Sequence, residues 1–143
     1  MLAMTTAPAS GASTATRSRI HHVLLATNID KASAGATDEA IELATENDAV
    51  LQILAVARNH RERVRLERGT AAIRERARAA GVTATAFVWH GDPAESILEA
   101  AWSERPDLLV LGARPHRDLR RLLGSVSARV AAAAPCRVMI VPA

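Results

Sequence analysis

The sequence PDLLVLG, residues 106–112, decides the fold class of this 143-residue chain. Its central LLVL is apolar at every position, which is typical of a parallel sheet whose strands are buried on both faces. Four other segments have the length and composition of strands: VLLAT at 23–27, VLQILAVA at 50–57, VTATAFVW at 82–89 and VMIV at 138–141. In the third of these, small polar residues alternate with apolar ones, which predicts a half-exposed strand at an edge of the sheet.

Helical patterns fill the segments between the predicted strands. Residues 37–45 have an apolar stripe, and residues 58–80 are charged and helical, with Gly69 as a point where that helix could be interrupted. A third helix is predicted to begin at Asp92, a good N-cap that a proline follows. The predicted apolar face of the third helix consists of Ile97, Leu98, Ala101 and Trp102. That of a fourth helix consists of Leu119, Leu122, Leu123, Val126 and Val130.

Strict alternation of strand and helix with short connections predicts right-handed crossovers and a single parallel sheet. The sequence therefore predicts one α/β domain over residues 19–143. Residues 1–18 are rich in alanine, serine and threonine, contain no acidic residue and lack the apolar core of a secretory signal. They are predicted to form a disordered tail.

The charge pattern argues against several classes of function. The net charge is +3, with seventeen arginines and one lysine, but charges of opposite sign alternate along residues 61–68. Such alternation is typical of a solvated helix face, so we expect no nucleic-acid partner. No apolar run has the length of a membrane span, and no cysteine–histidine spacing fits zinc. The single cysteine, Cys136, excludes an intramolecular disulfide. We expect a cytoplasmic protein without a metal or a membrane partner.

Ligands of an open parallel sheet bind beyond the carboxyl ends of its strands. Three segments are predicted to meet there: TNID at 27–30, VAR at 56–58, and GARP at 112–115, which Gly124-Ser125 follows. Glycine and a hydroxyl residue offer donors to an anion, and residues 114–121 include four arginines and one acid. A turn glycine, solvated arginines and a serine within a helix fit the same residues, and residue types alone leave both interpretations open.

Common catalytic motifs are missing from the sequence. It contains no G-x-S-x-G nucleophile elbow, no Walker loop and no G-x-G-x-x-G after the first strand. A phospho-acceptor receiver domain needs clustered acids at its strand ends, where only Asp30 and Asp92 are candidates. The residues therefore favour a binding or regulatory role over catalysis.

Four motifs occur in a fixed order along the chain: GDPA at 91–94, PDLLVLG at 106–112, LLGSV at 122–126 and APCRV at 134–138. Together with the order of elements, they strongly resemble the universal stress protein family over residues 19–142. The resemblance implies a five-stranded parallel sheet in the order 3-2-1-4-5, helices on both faces and usually a homodimer. Many members of the family bind ATP between the ends of the first and fourth strands.

The resemblance also implies a phosphate loop that reads G-x-x-G, nine residues, then G-[ST]. Gly112 and Gly124-Ser125 match the two ends of this pattern. Pro115 replaces the second glycine, and the spacer at 116–123 is eight residues long, one shorter than in the family pattern. Because proline lacks an N–H donor and has a fixed φ, this loop should offer fewer contacts to phosphate.

On the nucleoside side, Asn28 stands where ATP-binding members commonly have aspartate. Asparagine keeps an acceptor oxygen and adds an amide donor. Val56 matches the apolar position that packs against adenine. The candidate nucleotide-binding residues are therefore Asn28, Val56, Gly112, Arg114, Gly124 and Ser125.

Two functions follow from the resemblance. The first is a regulatory module of the stress response that binds ATP or another adenine nucleotide weakly and hydrolyses it slowly at most. The alternative is a dimeric interaction module with a degenerate phosphate loop and an unidentified protein partner; an ATP-using ligase or hydrolase is a poor third, since no nucleophile is recognisable. The homodimer is expected to form through the apolar last strand, an edge strand in the family order, at Val138, Met139, Ile140 and Val141. The alternative is a monomer in which the final helix or the N-terminal tail covers this strand.

Overall fold

The computed structural model describes residues 19–113 and 124–143. The predicted tail, Arg114, Pro115 and the predicted start of the fourth helix at 119–123 lie outside these ranges. The strands are β1 (His22–Ala26), β2 (Val50–Ala57), β3 (Ala84–His90), β4 (Leu108–Ala113) and β5 (Arg137–Pro142). The helices are α1 (Ala34–Asn47), α2 (His60–Ala79), α3 (Pro93–Glu104) and α4 (Ser125–Ala133), and a 3-10 turn (Lys31–Ser33) precedes α1.

The five strands form one parallel sheet in the order β3-β2-β1-β4-β5, which confirms the predicted fold class. β1 lies at the centre, where Val23 pairs with Leu51 of β2 on one side and with Leu108 of β4 on the other. Successive side chains point to opposite faces. Val23 and Leu25 pack with α1 and α2, whereas Leu24 packs with α3 and α4.

Side-chain caps determine where α2 and α3 begin. The Asp92 carboxylate accepts a hydrogen bond from the N–H of Glu95 at 3.0 Å, and a proline occupies the first turn of α3, as predicted. The side chain of Asn59 accepts from the N–H of Glu62 at 2.9 Å at the start of α2. This helix continues through Gly69, so the interruption considered there does not occur.

Trp102 corrects one part of the predicted core. Its side chain is 53% exposed, although the sequence placed it in the buried stripe of α3. The buried positions of that helix include Ile97, Ala100 and Ala101, and the next residue along the chain already points to solvent. The guanidinium of Arg105 lies 5.0 Å from the centre of the indole ring and covers part of it.

The two edges of the sheet differ in the groups that they present to a partner. On β5, Val138, Met139 and Ile140 are buried in the chain's own core, so the backbone is what this edge offers to a partner. On β3, the guanidinium of Arg78 donates to the outward-facing carbonyl of Ala84 at 3.0 and 3.2 Å. The first carbonyl along the β3 edge is therefore already occupied.

Candidate functional site

A cavity of about 630 Å³ opens at the carboxyl ends of β1, β2 and β4. Parallel strands end at the same edge of the sheet, which is why residues far apart in sequence meet there. The sixth candidate from the sequence, Arg114, lies outside the described residues. The other five all line the cavity: Asn28, Val56, Gly112, Gly124 and Ser125.

The lining of the cavity combines apolar and charged side chains. Leu54, Ile97 and Leu111 are buried lining residues, and Val56 is half-buried beside them. Exposed lining residues include Arg58 and Arg65. Apolar side chains beside a few polar groups are typical of small-molecule sites.

Polar side chains fold the loop that follows β1. The hydroxyl of Thr27 accepts a hydrogen bond from the N–H of Ile29 at 3.0 Å. The carboxylate of Asp30 accepts from the N–H of Ser33 at 3.0 Å and caps the 3-10 turn. Asp30 thus has the turn-forming role that is usual for a single aspartate in a loop.

Ser33 connects the side chains of Asn28 and Asp30. Its hydroxyl oxygen lies 2.9 Å from the Oδ1 atom of each, yet a hydroxyl has one hydrogen to donate. Because a carboxylate can only accept, both contacts are satisfied when the Asn28 amide is turned so that its NH₂ donates to Ser33. The carbonyl oxygen of Asn28 then remains to accept from a ligand.

Gly112 allows two loops of the site to pack closely. A Cβ at this position would lie 2.7 Å from the carbonyl oxygen of Ala32 and 3.3 Å from Cα of Ser33. The 3-10 turn therefore presses against the end of β4 at a distance that only glycine permits. The sequence indicated a sharp turn or a ligand contact at Gly112, and the contact with the turn explains the residue without a ligand.

The N-terminus of α4 faces the cavity. Gly124 is the N-cap and has no side chain to accept from the N–H groups of the first turn, so these groups can be offered to an anion. Ser125 is the exposed first residue of α4 and does not lie within the helix. The hydroxyl of Ser127 points back and donates to the carbonyl of Gly124 at 3.3 Å.

Two contacts from α2, which the sequence analysis missed, hold the loop after β1. Ile29 has a left-handed backbone with φ of 59°, and a Cβ at Gly69 would lie 2.5 Å from its Cγ2 atom. The Ile29 side chain therefore fills the space left by the glycine. Arg65 donates to the carbonyls of Asn28 and Ile29 at 3.1 and 3.4 Å. A glycine within a charged helix was the one signal of this contact in the sequence.

Metal-binding, nucleophilic and membrane-spanning groups were sought among the described residues. Across 19–113 and 124–143, no three histidine, cysteine or acidic residues cluster in a way that could hold a metal ion. Asp92 accepts from Arg129 at 3.4 Å as well as capping α3. Burial raises the pKa of the Cys136 thiol, which disfavours the nucleophilic thiolate. In the same part of the chain, no helix is both long and apolar enough to cross a bilayer.

Comparison with known proteins bears on the family and the fold. The profile of the Universal stress protein family matches residues 19–142. A universal stress protein of Thermus aquaticus is 47% identical over 57 residues, which are 39% of this chain and 42% of that relative. The aligned region therefore spans less than half of the relative.

Several solved structures share the fold over most of both chains. A universal stress protein in complex with cAMP is 28% identical, with a TM-score of 0.73 over 87% of this chain and 98% of that one. A family member from Burkholderia pseudomallei is 24% identical, with a TM-score of 0.74 over 88% and 98%. One from Arabidopsis thaliana with AMP bound is 23% identical, with a TM-score of 0.66 over 85% and 91%.

Proposed function

The chain belongs to the universal stress protein family, and on that premise we propose that it is a stress-response regulatory module that binds an adenine nucleotide weakly. The observation that supports this most is the cavity itself. It brings the apolar side chain of Val56, the polar side chain of Asn28 and the N-terminus of α4 to one place. Similar proteins were solved with cAMP and with AMP.

In the proposed complex, each part of the nucleotide has a matching surface. Val56 packs against adenine, and Asn28 accepts a hydrogen bond from the nucleoside. The phosphates lie at Gly124, Ser125 and the N–H groups of α4, since a helix N-terminus favours negative charge. Gly112 and Arg114 complete the phosphate side in this proposal.

We expect weak affinity for ATP because Pro115 and the shortened spacer remove donors from the phosphate loop. The dissociation constant should lie in the high micromolar range or above, corresponding to about 5 kcal/mol or less of binding free energy. Hydrolysis should be slow at most, because phosphoryl transfer depends on positioned charges and metal ions.

Isothermal titration with ATP, AMP and cAMP tests the proposal. Val56→Arg should abolish binding by filling the adenine position, whereas Val64→Arg, a control on an exposed valine of α2, should leave it unchanged. Pro115→Gly with one inserted residue should tighten ATP binding. Absence of binding for all three ligands would contradict the proposal, and stoichiometric ATP in the purified protein would contradict the weak affinity.

The alternative function, a dimeric interaction module, rests on β5. The N–H of Ala143 donates to the carbonyl of Ala113 at 3.1 Å, and inward and outward groups alternate along a parallel strand. The N–H groups of Val138 and Ile140 therefore face away from β4. Antiparallel pairing of two β5 strands would satisfy them and give a two-fold dimer. A cytoplasmic location and a protein partner are part of this proposal, by analogy with the family.

The buried side chains of β5 determine how the dimer should be tested. Ile140→Lys would disrupt the core of the chain, so loss of a dimer in that variant would be ambiguous. Hydrogen exchange of the wild-type protein avoids this problem. The Val138 and Ile140 amides should be protected at high protein concentration and exchange faster on dilution. A single-chain mass at micromolar concentration by light scattering would contradict the dimer.

A further inference from the structure

We propose that Arg65 is a positioning residue for the nucleotide site: from α2 it holds the backbone carbonyls of Asn28 and Ile29 in place. The inference rests on the proposed function, because it assigns a role in presenting Asn28 to a nucleoside. Arg65 comes from a helix that contributes none of the residues expected to bind the ligand. Its contact with the loop joins residues that are 37 positions apart in the sequence.

Arg65 makes its contacts with main-chain atoms. One guanidinium nitrogen donates to the carbonyl of Asn28 at 3.1 Å and to that of Ile29 at 3.4 Å. Hydrogen bonds from a charged donor are stronger than neutral ones. Because these contacts are with the main chain, they fix the path of the loop. Arg65 therefore determines the position of the Cα atom from which the Asn28 side chain extends.

The conformation held by Arg65 is one that the loop would not favour alone. Ile29 has φ of 59°, and this left-handed region is unfavourable for a β-branched residue. Gly69 lies one helical turn beyond Arg65 and leaves the space that the Ile29 side chain fills. α2 therefore supports the loop through two contacts, one polar and one apolar.

Arg65 can be distinguished from its neighbours on the same helix. Arg63 forms an ion pair with Glu67, and Arg76 with Asp38. Arg65 instead donates to two carbonyl oxygens that carry no formal charge, so its contact is a positioning one rather than part of the alternating charge of the helix face. Arg68 is exposed and, within the described residues, makes no hydrogen bond or ion pair, which makes it a matched control.

The experiment compares Arg65→Met, Arg65→Lys and Arg68→Met with the wild-type protein. Hydrogen exchange of the ligand-free protein reports on residues 27–33, and titration with adenosine and with AMP reports on binding. Arg65→Met should speed exchange of this segment and weaken the binding of both probes about fivefold, the effect of losing the exposed hydrogen bonds that this one nitrogen donates. Arg65→Lys keeps a donating nitrogen and should recover most of the loss, while Arg68→Met should change neither measurement.

The probes separate positioning from direct contact with phosphate. If Arg65→Met weakened AMP and left adenosine unchanged, Arg65 would be a phosphate ligand and the positioning role would be refuted. Equal exchange in Arg65→Met and Arg68→Met would also refute it. If the wild-type protein bound neither probe, the proposed function would fail, while the exchange data would still decide whether Arg65 holds the loop.

Discussion

Replacing Gly69 by alanine tests whether α2 supports the loop after β1. Inside a helix, alanine is favoured over glycine by about 1 kcal/mol, so at an ordinary position this substitution would stabilise the protein. Here the new Cβ would lie 2.5, 2.8 and 3.0 Å from the Cγ2, Cγ1 and Cδ1 atoms of Ile29. Ile29 is β-branched and stiff about χ1, so it has little freedom to move aside, and overpacking of this kind costs about 1–3 kcal/mol.

We therefore expect Gly69→Ala to lower the free energy of unfolding by up to about 2 kcal/mol, measured by urea denaturation and circular dichroism. In an Ile29→Ala background the clashing atoms are gone, and Gly69→Ala should stabilise by about 1 kcal/mol. Ala72→Gly, at an exposed position of α2, is the control and should have the same effect in both backgrounds. Stabilisation by Gly69→Ala in the otherwise wild-type chain would refute the reasoning.

Three further predictions concern the site and the single cysteine. Gly112→Ala should destabilise the protein by about 2 kcal/mol or more, because its Cβ meets main chain that cannot withdraw; an unchanged melting temperature would contradict this. Asn28→Asp should destabilise the protein by about 1 kcal/mol, since the Ser33 hydroxyl cannot donate to two carboxylates at once. In a Ser33→Ala background, asparagine and aspartate at position 28 should give the same stability in thermal denaturation. Because burial raises the pKa of Cys136, the contribution of this thiol to stability should be complete below the ordinary pKa of 9.0 and decline as the pH rises through the raised value. Iodoacetamide should react more slowly with Cys136 in the folded chain than in the urea-unfolded chain, and equal rates would count against the raised pKa.

The sheet was predictable because each of its signals is local. The apolar run at 108–111 indicated burial on both faces, and Asp92 indicated the start of α3 by a cap that needs no distant partner. The alternating residues at 82–89 likewise indicated the β3 edge. Val56 and Gly124 could be placed at the cavity because parallel strands end together.

The supports of the site were not predictable because they join distant segments. Close packing against Ile29 explains the glycine at position 69, and close packing against Ala32 explains the one at 112. Neither partner can be identified from spacing along the chain. Arg65 was indistinguishable from the other arginines of an alternating charged helix. Sequence reasoning thus named five residues that line one cavity, whereas the contacts between elements that support the neighbouring loop could not be foreseen.

The guanidinium of Arg78 on the β3 edge has a consequence for how copies of the chain can associate. In the terms of polymer chemistry, a sheet with two pairable edges is a bifunctional monomer, and head-to-tail addition of such units extends into fibres. Addition at β3 must first displace Arg78 from the carbonyl of Ala84. Pairing of β5 with a second β5 would require no such displacement among the described residues. Such a pair would have two β3 strands as its outer edges, each with Arg78 on the Ala84 carbonyl, which would disfavour further addition.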